Sequence, residues 1–285
     1  EYVVGHNVAA MANPDPDGIC RQVRTTWMPT AEVEKVVPGK VGGVELSMEA
    51  LAQAASGAQM RSLLGGLLTQ YDEWIRRQIL PPDPRRTEVA RELLRDAENA
   101  RQRIQAGLEA LDTPEVLLAF RLANRAIATA LRQRACHDTD KDPASVAPPR
   151  WYPFQLAFLL MNLVGLAQPE HADRKLVDLL FFPTGGGKTE AYLGLIAFTL
   201  ILRRLRGKAR PDEGRGVAVI LRYTLRLLTL DQLGRAATLV CALESQRRKM
   251  PAVLGDARFS VGLWVGRSAT ANTMDDAAKQ VTGFK

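Results

Sequence analysis

Eight residues constrain this chain more than any others: Phe182-Pro183-Thr184-Gly185-Gly186-Gly187-Lys188-Thr189. They follow an apolar run at 176–182 and open a second apolar stretch that reads as a helix to about Leu205. Consecutive glycines lack Cβ atoms, so backbone N–H groups can close around an anion, and a helix start adds positive potential. Lys188 is suited to reach the outer phosphates of a nucleotide, and the Thr189 hydroxyl to ligate magnesium. The general phosphate-loop pattern has glycine five residues before its last glycine; here that position is Phe182. The bland alternative is a glycine turn capping an ordinary helix. Gly-Lys-Thr between an apolar strand and a helix favours nucleotide binding, through Thr184, Gly185, Gly186, Gly187, Lys188 and Thr189.

The grammar around the loop predicts an α/β fold. Residues 154–166 read as an apolar helix, 176–182, 217–221 and 259–265 as strands, and 230–248 as a further helix. Strands alternating with helices of about 15 to 20 residues predict right-handed βαβ units in a parallel sheet. The segments are apolar nearly all round, as in a sheet covered on both faces.

The chain before residue 151 reads differently. Residues 1–46 carry Pro14, Pro16, Pro29, Pro38 and a glycine cluster at 39–43, with short edge strands expected at 2–4 and 33–37. Residues 47–136 form a helical region. Val89, Leu93, Ala97, Ala100, Ile104, Leu108 and Leu111 make one apolar stripe on a long helix. Thr113-Pro114-Glu115 reads as the N-cap and first turn of the next helix, ending near Arg134. Residues 137–150, with Pro143, Pro148 and Pro149, are the expected linker to a nucleotide-binding domain at 151–285.

Two further segments bear on chemistry. In Arg150-Trp151-Tyr152-Pro153-Phe154-Gln155, the Gln155 amide offers a donor and an acceptor that suit an adenine edge, with aromatics nearby to stack. The competing role for those aromatics is a hydrophobic staple. In the run 221–232, Arg222, Thr224 and Arg226 follow an expected strand, where loops of a parallel sheet meet ligands, and suit nucleic-acid phosphates. Reading 227–231 as a strand ending in a magnesium-binding Asp231 is rejected: Thr229-x-x-Gln232 opens a helix and no second acid follows.

Charge supports an anionic partner. The chain of 285 residues carries a formal +7, and 203–249 alone holds 12 basic residues against 4 acidic, a net +8. The arginines at 203–210 read as a solvated helix end. Cys20, Cys136 and Cys241 stand apart without metal-ligand spacing, which fits a reducing cytoplasm rather than a disulfide framework. His6, His137 and His171 are scattered. The longest apolar runs are about 12 residues, short of the roughly 20 that a membrane-spanning helix needs, so no membrane role is expected. A chain opening on Glu1 reads as a piece of something longer.

These motifs carry a resemblance. Loops of the form Pro-Thr-Gly-x-Gly-Lys-Thr, a glutamine after an aromatic–proline cluster, and a threonine–arginine segment followed by leucines and a glutamine resemble superfamily 2 helicases. Residues 151–155, 182–195, 222–229 and 262–266, and less specifically 4–7 and 120–124, resemble the helicase subunit family of the DISARM anti-phage system. That resemblance implies a RecA-like P-loop sheet and a DNA-dependent ATPase that uses ATP and Mg2+ and works with a second defence-system protein. It also implies roles for Lys188 and Thr189 in catalysis, Thr189 on magnesium, and Arg222, Thr224 and Arg226 on DNA. Nothing here matches the family's Asp-Glu-x-His magnesium motif or a second motor domain, so hydrolysis is expected to need groups outside this sequence. A P-loop switch or assembly factor without nucleic acid is the competing reading, and a degenerate nucleotide-binding scaffold whose helical half binds a partner is the third.

Overall fold

A computed structural model describes residues 3–32, 37–137, 139–182, 186–207, 214–223, 226–264 and 273–283, with the backbone alone for 226–230 and 280–283. The chain divides into two compact units, Glu1–Val37 and Pro38–Lys285.

The first unit is an antiparallel hairpin of β1 (Ala9–Pro14) and β2 (Cys20–Trp27), with Met11 opposite Arg24 and Asn13 opposite Gln22. Asp15 makes the turn: its Oδ1 accepts the N–H groups of Asp17 and Ile19, and Gly18 adopts the left-handed φ of 76° that closes it. Strands were expected at 2–4 and 33–37. The Asp15–Gly18 turn instead pairs the residues that flank it; Val3 and Val4 are in no strand, and 33–36 lie outside the described residues.

The second unit is helical. α1 (Met48–Gln53) and α2 (Gly57–Arg76) start at Ser47 and Ser56, whose hydroxyls accept the N–H groups of Ala50 and Gln59. α3 (Pro84–Ala110) and α4 (Pro114–Ala135) each place proline in the first turn, where its missing N–H costs nothing. α5 (Pro153–Ala167), α6 (Lys188–Arg206), α7 (Arg226–Lys249), a short α8 (Pro251–Leu254) and α9 (Met274–Gly283) follow. α4 sits at the centre. Ala119, Ala123, Ala126, Ala128 and Ala130, with Val116, Phe120, Leu122 and Ile127, are buried, and α1, α6 and α7 pack on it. The α3 stripe is only half used: Ile104 and Leu108 are buried on α5, whereas Val89 and Leu93 are exposed.

The expected parallel RecA-like sheet is not formed. Among the described residues the only sheet is the β1–β2 hairpin. Segments 176–182 and 217–221 and the described part of 259–265 are extended but join no strand ladder. The reason is where their bonds go. Arg103 on α3 grips Asp178 with two nitrogens, at 2.6 and 2.8 Å, and reaches Asp173 at 2.9 Å. Arg203 on α6 donates to the carbonyls of Arg215 and Val217. Arg204 donates to Arg258 O and lies over the Phe259 ring, while Glu244 on α7 accepts the Phe259 N–H. Each segment is tied to a helix, and a strand forms only when backbone pairs with backbone. Side chains on the outer face are left uncovered: Val177, Leu179 and Phe181 are 96%, 85% and 89% exposed.

Two outcomes test this architecture. α3 and α5 cross so closely at Gly107 that a Cβ there would run into the Leu160 carbonyl. Gly107→Ala is expected to cost about 1–3 kcal/mol, as overpacking does, read by urea unfolding; a loss under about 0.5 kcal/mol would place the crossing elsewhere. Glu244 is held at about 2, below its ordinary 4.5, chiefly by hydrogen bonds from Arg247 and also by the Phe259 N–H, against burial. A folded-state pKa depressed in this way stabilises above 4.5 and is lost as pH falls toward 2. The stability gap between wild type and Glu244→Gln should therefore be full at pH 7 and shrink across that window.

Candidate functional site

Trp151 fixes the site's foundation. It is 1% exposed, and its indole N–H donates to Asn124 Oδ1 at 2.7 Å, while Asn124 Nδ2 donates to Phe120 O on its own helix. Trp151 is thus a core residue between α4 and α6, not a free stacking surface. The next residues start α5. Gln155 Oε1 accepts the Tyr152 N–H at 2.7 Å, and Gln155 Nε2 donates to Gly187 O at 2.6 Å. Gln155 is 2% exposed, with both ends of its amide engaged by backbone. It holds the end of the glycine loop against the start of α5.

Phe182, the departure from the general loop pattern, has a physical reason. Its ring stacks on Phe154 with centroids 4.1 Å apart and planes 13° apart, and Phe154 in turn stacks on Tyr152. The loop is therefore pinned at both ends to the first turn of α5. Pro183, Thr184 and Gly185 lie outside the described residues. Gly186 and Gly187 lead into α6, with Gly187 at the N-cap in the left-handed conformation, φ 88°. A Cβ on Gly187 would lie 2.7 Å from Gln155 Nε2, so both conformation and space require glycine.

No side chain caps α6, so its leading N–H groups present the positive end of the helix toward the loop. Lys188 Nζ donates to the Phe182 carbonyl. The Thr189 hydroxyl is buried and lies 2.9 Å from the Tyr192 hydroxyl. Glu190 would repel an anion at this helix end, but it is paired with Arg235 on α7 and its charge is turned aside. The arrangement suits a phosphate group.

The second segment meets the same helix end. Tyr223 reaches the Tyr192 hydroxyl and Gln232 Oε1, each at 3.4 Å. Burial and the Tyr192 hydroxyl push the Tyr223 phenol above its ordinary value. Arg222 is exposed beside it. Thr224 lies outside the described residues, and Arg226 opens α7, where only its backbone is described. α7 begins at Arg226 rather than near Leu230, and residues 227–231 are helical, against the rejected strand reading. The arginines read as a solvated helix end have partners: Arg203 and Arg204 hold the extended segments, and Arg206 pairs with Glu115. Burial first, then Arg203, Arg215 and Arg247, push the Arg204 guanidinium down. Lys208 and Arg210 lie outside the described residues.

Sequence reasoning missed Asn124, Tyr192, Tyr223, Glu190 and Arg235. Each acts through a partner distant in sequence or on another element, which leaves no local signature. Among the described residues no group of three His, Cys, Asp or Glu could hold a metal ion, no helix is long and apolar enough to cross a membrane, and the three cysteines are unbridged.

No protein-family model matches the chain. It is similar to DISARM protein DrmA of Bacillus paralicheniformis, 35% identical over 295 residues that cover 96% of this chain. The chain spans only 26% of that relative's length.

The loop geometry makes a direct prediction. Gly187→Ala forces a Cβ into the left-handed region, which costs about 1–2 kcal/mol, and crowds Gln155 as well. Thermal or urea unfolding should show at least that loss, and no change would mean that the loop does not depend on this conformation.

Proposed function

Over the part it spans the chain belongs to the DrmA family, and from that premise we propose that it is the nucleotide-binding portion of a DNA-dependent ATPase serving DISARM anti-phage defence. The observation that carries this reading is the start of α6: a left-handed glycine at the N-cap, no capping side chain, Lys188 and Thr189 in the first turn, and Glu190 neutralised by Arg235. Such a helix end is a ready anion site, because its N–H groups and macrodipole both favour negative charge. The backbone at 186–189 would hold phosphate oxygens, Lys188 would add a cation, and the Thr189 hydroxyl would ligate Mg2+. Bound with ATP, that ion would supply positive charge that neutralises the phosphates.

The protein's own residues do the shaping. Gln155 and the Tyr152–Phe154–Phe182 stack hold the two ends of the loop before any ligand arrives, which lowers the ordering cost of binding. Gln155 would read an adenine edge only by giving up one of its two backbone bonds. Lys188 would exchange the Phe182 carbonyl for a phosphate, trading a neutral acceptor for a charged one. Arg222, Thr224 and Arg226 are the proposed DNA contacts, and a second protein of the same defence system is the proposed partner. The place of these three residues on either side of Tyr223, which touches the α6 start through Tyr192, supports a link between the two ligands.

Lys188→Ala tests the reading. Loss of a hydrogen bond to a charged group should weaken Mg·ATP binding about 10- to 100-fold, by titration calorimetry on the full-length protein. Single-stranded DNA should raise ATP turnover, and Arg222→Ala should lower that stimulation while leaving Mg·ATP affinity in place. Nucleotide binding indifferent to Lys188→Ala would overturn the site. Turnover indifferent to DNA would favour a switch without nucleic acid.

A further inference from the structure

One chain of side chains near the loop is not explained by phosphate binding alone. The Thr189 and Tyr192 hydroxyls are 2.9 Å apart, Tyr192 and Tyr223 3.4 Å apart, and Tyr223 lies 3.4 Å from Gln232 Oε1. These four residues come from the first five residues of α6, the segment 214–223 and α7. Gln232 Nε2 donates to Asp231 at 3.1 Å, which leaves its oxygen as the end that faces Tyr223.

The proton arrangement follows from what each group can do. A carbonyl oxygen only accepts, whereas a hydroxyl donates once and accepts as well. The Tyr223 hydroxyl shares its proton between Gln232 Oε1 and the Tyr192 oxygen, and the Tyr192 oxygen has a further lone pair to accept the Thr189 proton. In that order the Thr189 oxygen donates along the chain and keeps both lone pairs for a cation. The alternative, with Tyr192 as the donor to Thr189, would point a proton at one of those lone pairs.

We propose that Tyr192 and Tyr223 are positioning residues for a divalent cation carried by a bound nucleoside triphosphate, orienting the Thr189 hydroxyl through the Tyr192 oxygen, which Tyr223 holds as donor. This rests on the nucleotide reading above and adds to it two residues and a direction of hydrogen bonding. It also gives the arginine-bearing segment a physical connection to the loop, since Tyr223 adjoins Arg222.

The test compares ATP affinity with Mg2+ and in EDTA, for wild type, Tyr192→Phe, Tyr223→Phe and Thr189→Ala of the full-length protein. Removing one neutral hydrogen bond should raise the Kd for Mg·ATP about 2- to 10-fold in Tyr192→Phe, with a smaller rise in Tyr223→Phe. Affinity for metal-free ATP should not move in either. In a Thr189→Ala background Tyr192→Phe should add nothing, whereas in Thr189→Ser, which keeps the hydroxyl, it should act in full. Equal weakening with and without Mg2+, or additivity with Thr189→Ala, would overturn the proposal as a merely structural effect. Mg·ATP binding that is present and sensitive to Lys188→Ala but unmoved by either tyrosine change would overturn it too, with the nucleotide site intact. Absence of Mg·ATP binding in wild type would overturn both.

Discussion

The hydrogen bond from the Trp151 indole to Asn124 sets where everything downstream begins. It is buried on both sides, and leaving either partner unpaired would cost about 1–3 kcal/mol of desolvation. Asn124 belongs to α4, the helix around which the larger unit packs, so the bond brings the return of the chain after the proline-rich stretch 143–149 to one place on the core. α5 starts two residues after Trp151, and Gln155 and Phe154 are thereby placed to receive Gly187 and Phe182.

The start of α6 is then an electrostatic device built by subtraction. A first-turn acid ordinarily favours a helix, yet here it would oppose an anion. Arg235 removes that opposition by pairing with Glu190 in a setting where both side chains are largely covered. Of the remaining polar side chains of the turn, Lys188 is held by a carbonyl that a phosphate can replace, and Thr189 by the Tyr192 hydroxyl that orients it. The two ends of the loop, Phe182 and Gly187, are fixed on α5.

How much was legible in the sequence differs by kind of bond. Helix ends written by local chemistry were readable: Thr113-Pro114 opens α4, and the apolar stretches around the loop became α5 and α6 within about two residues. The family resemblance was readable too, because its motifs are runs of neighbours. The sheet was misread. Val177, Leu179 and Phe181 have the alternation of a strand, and the backbone there is extended, but pairing depends on which partner lies alongside. Arg103, about 75 residues away in the chain, decided that partner by gripping Asp178. Phe182 looked like an irregularity and is an aromatic anchor, and the Gln155 amide, expected to face a base, also braces the loop end; in both cases the partner is an atom some 28 to 32 residues distant.

The sequence by itself determined the helical stretches and the glycine loop ahead of a helix, with a lysine and a threonine in its first turn. These follow from residue type and spacing within a few turns of chain. Tertiary structure alone decided that the extended segments attach to helices instead of to one another. It also decided that Glu190 is neutralised and that Tyr223 meets Tyr192 and Gln232. Those are contacts between residues with no common periodicity, and only packing around α4 brings them within bonding distance.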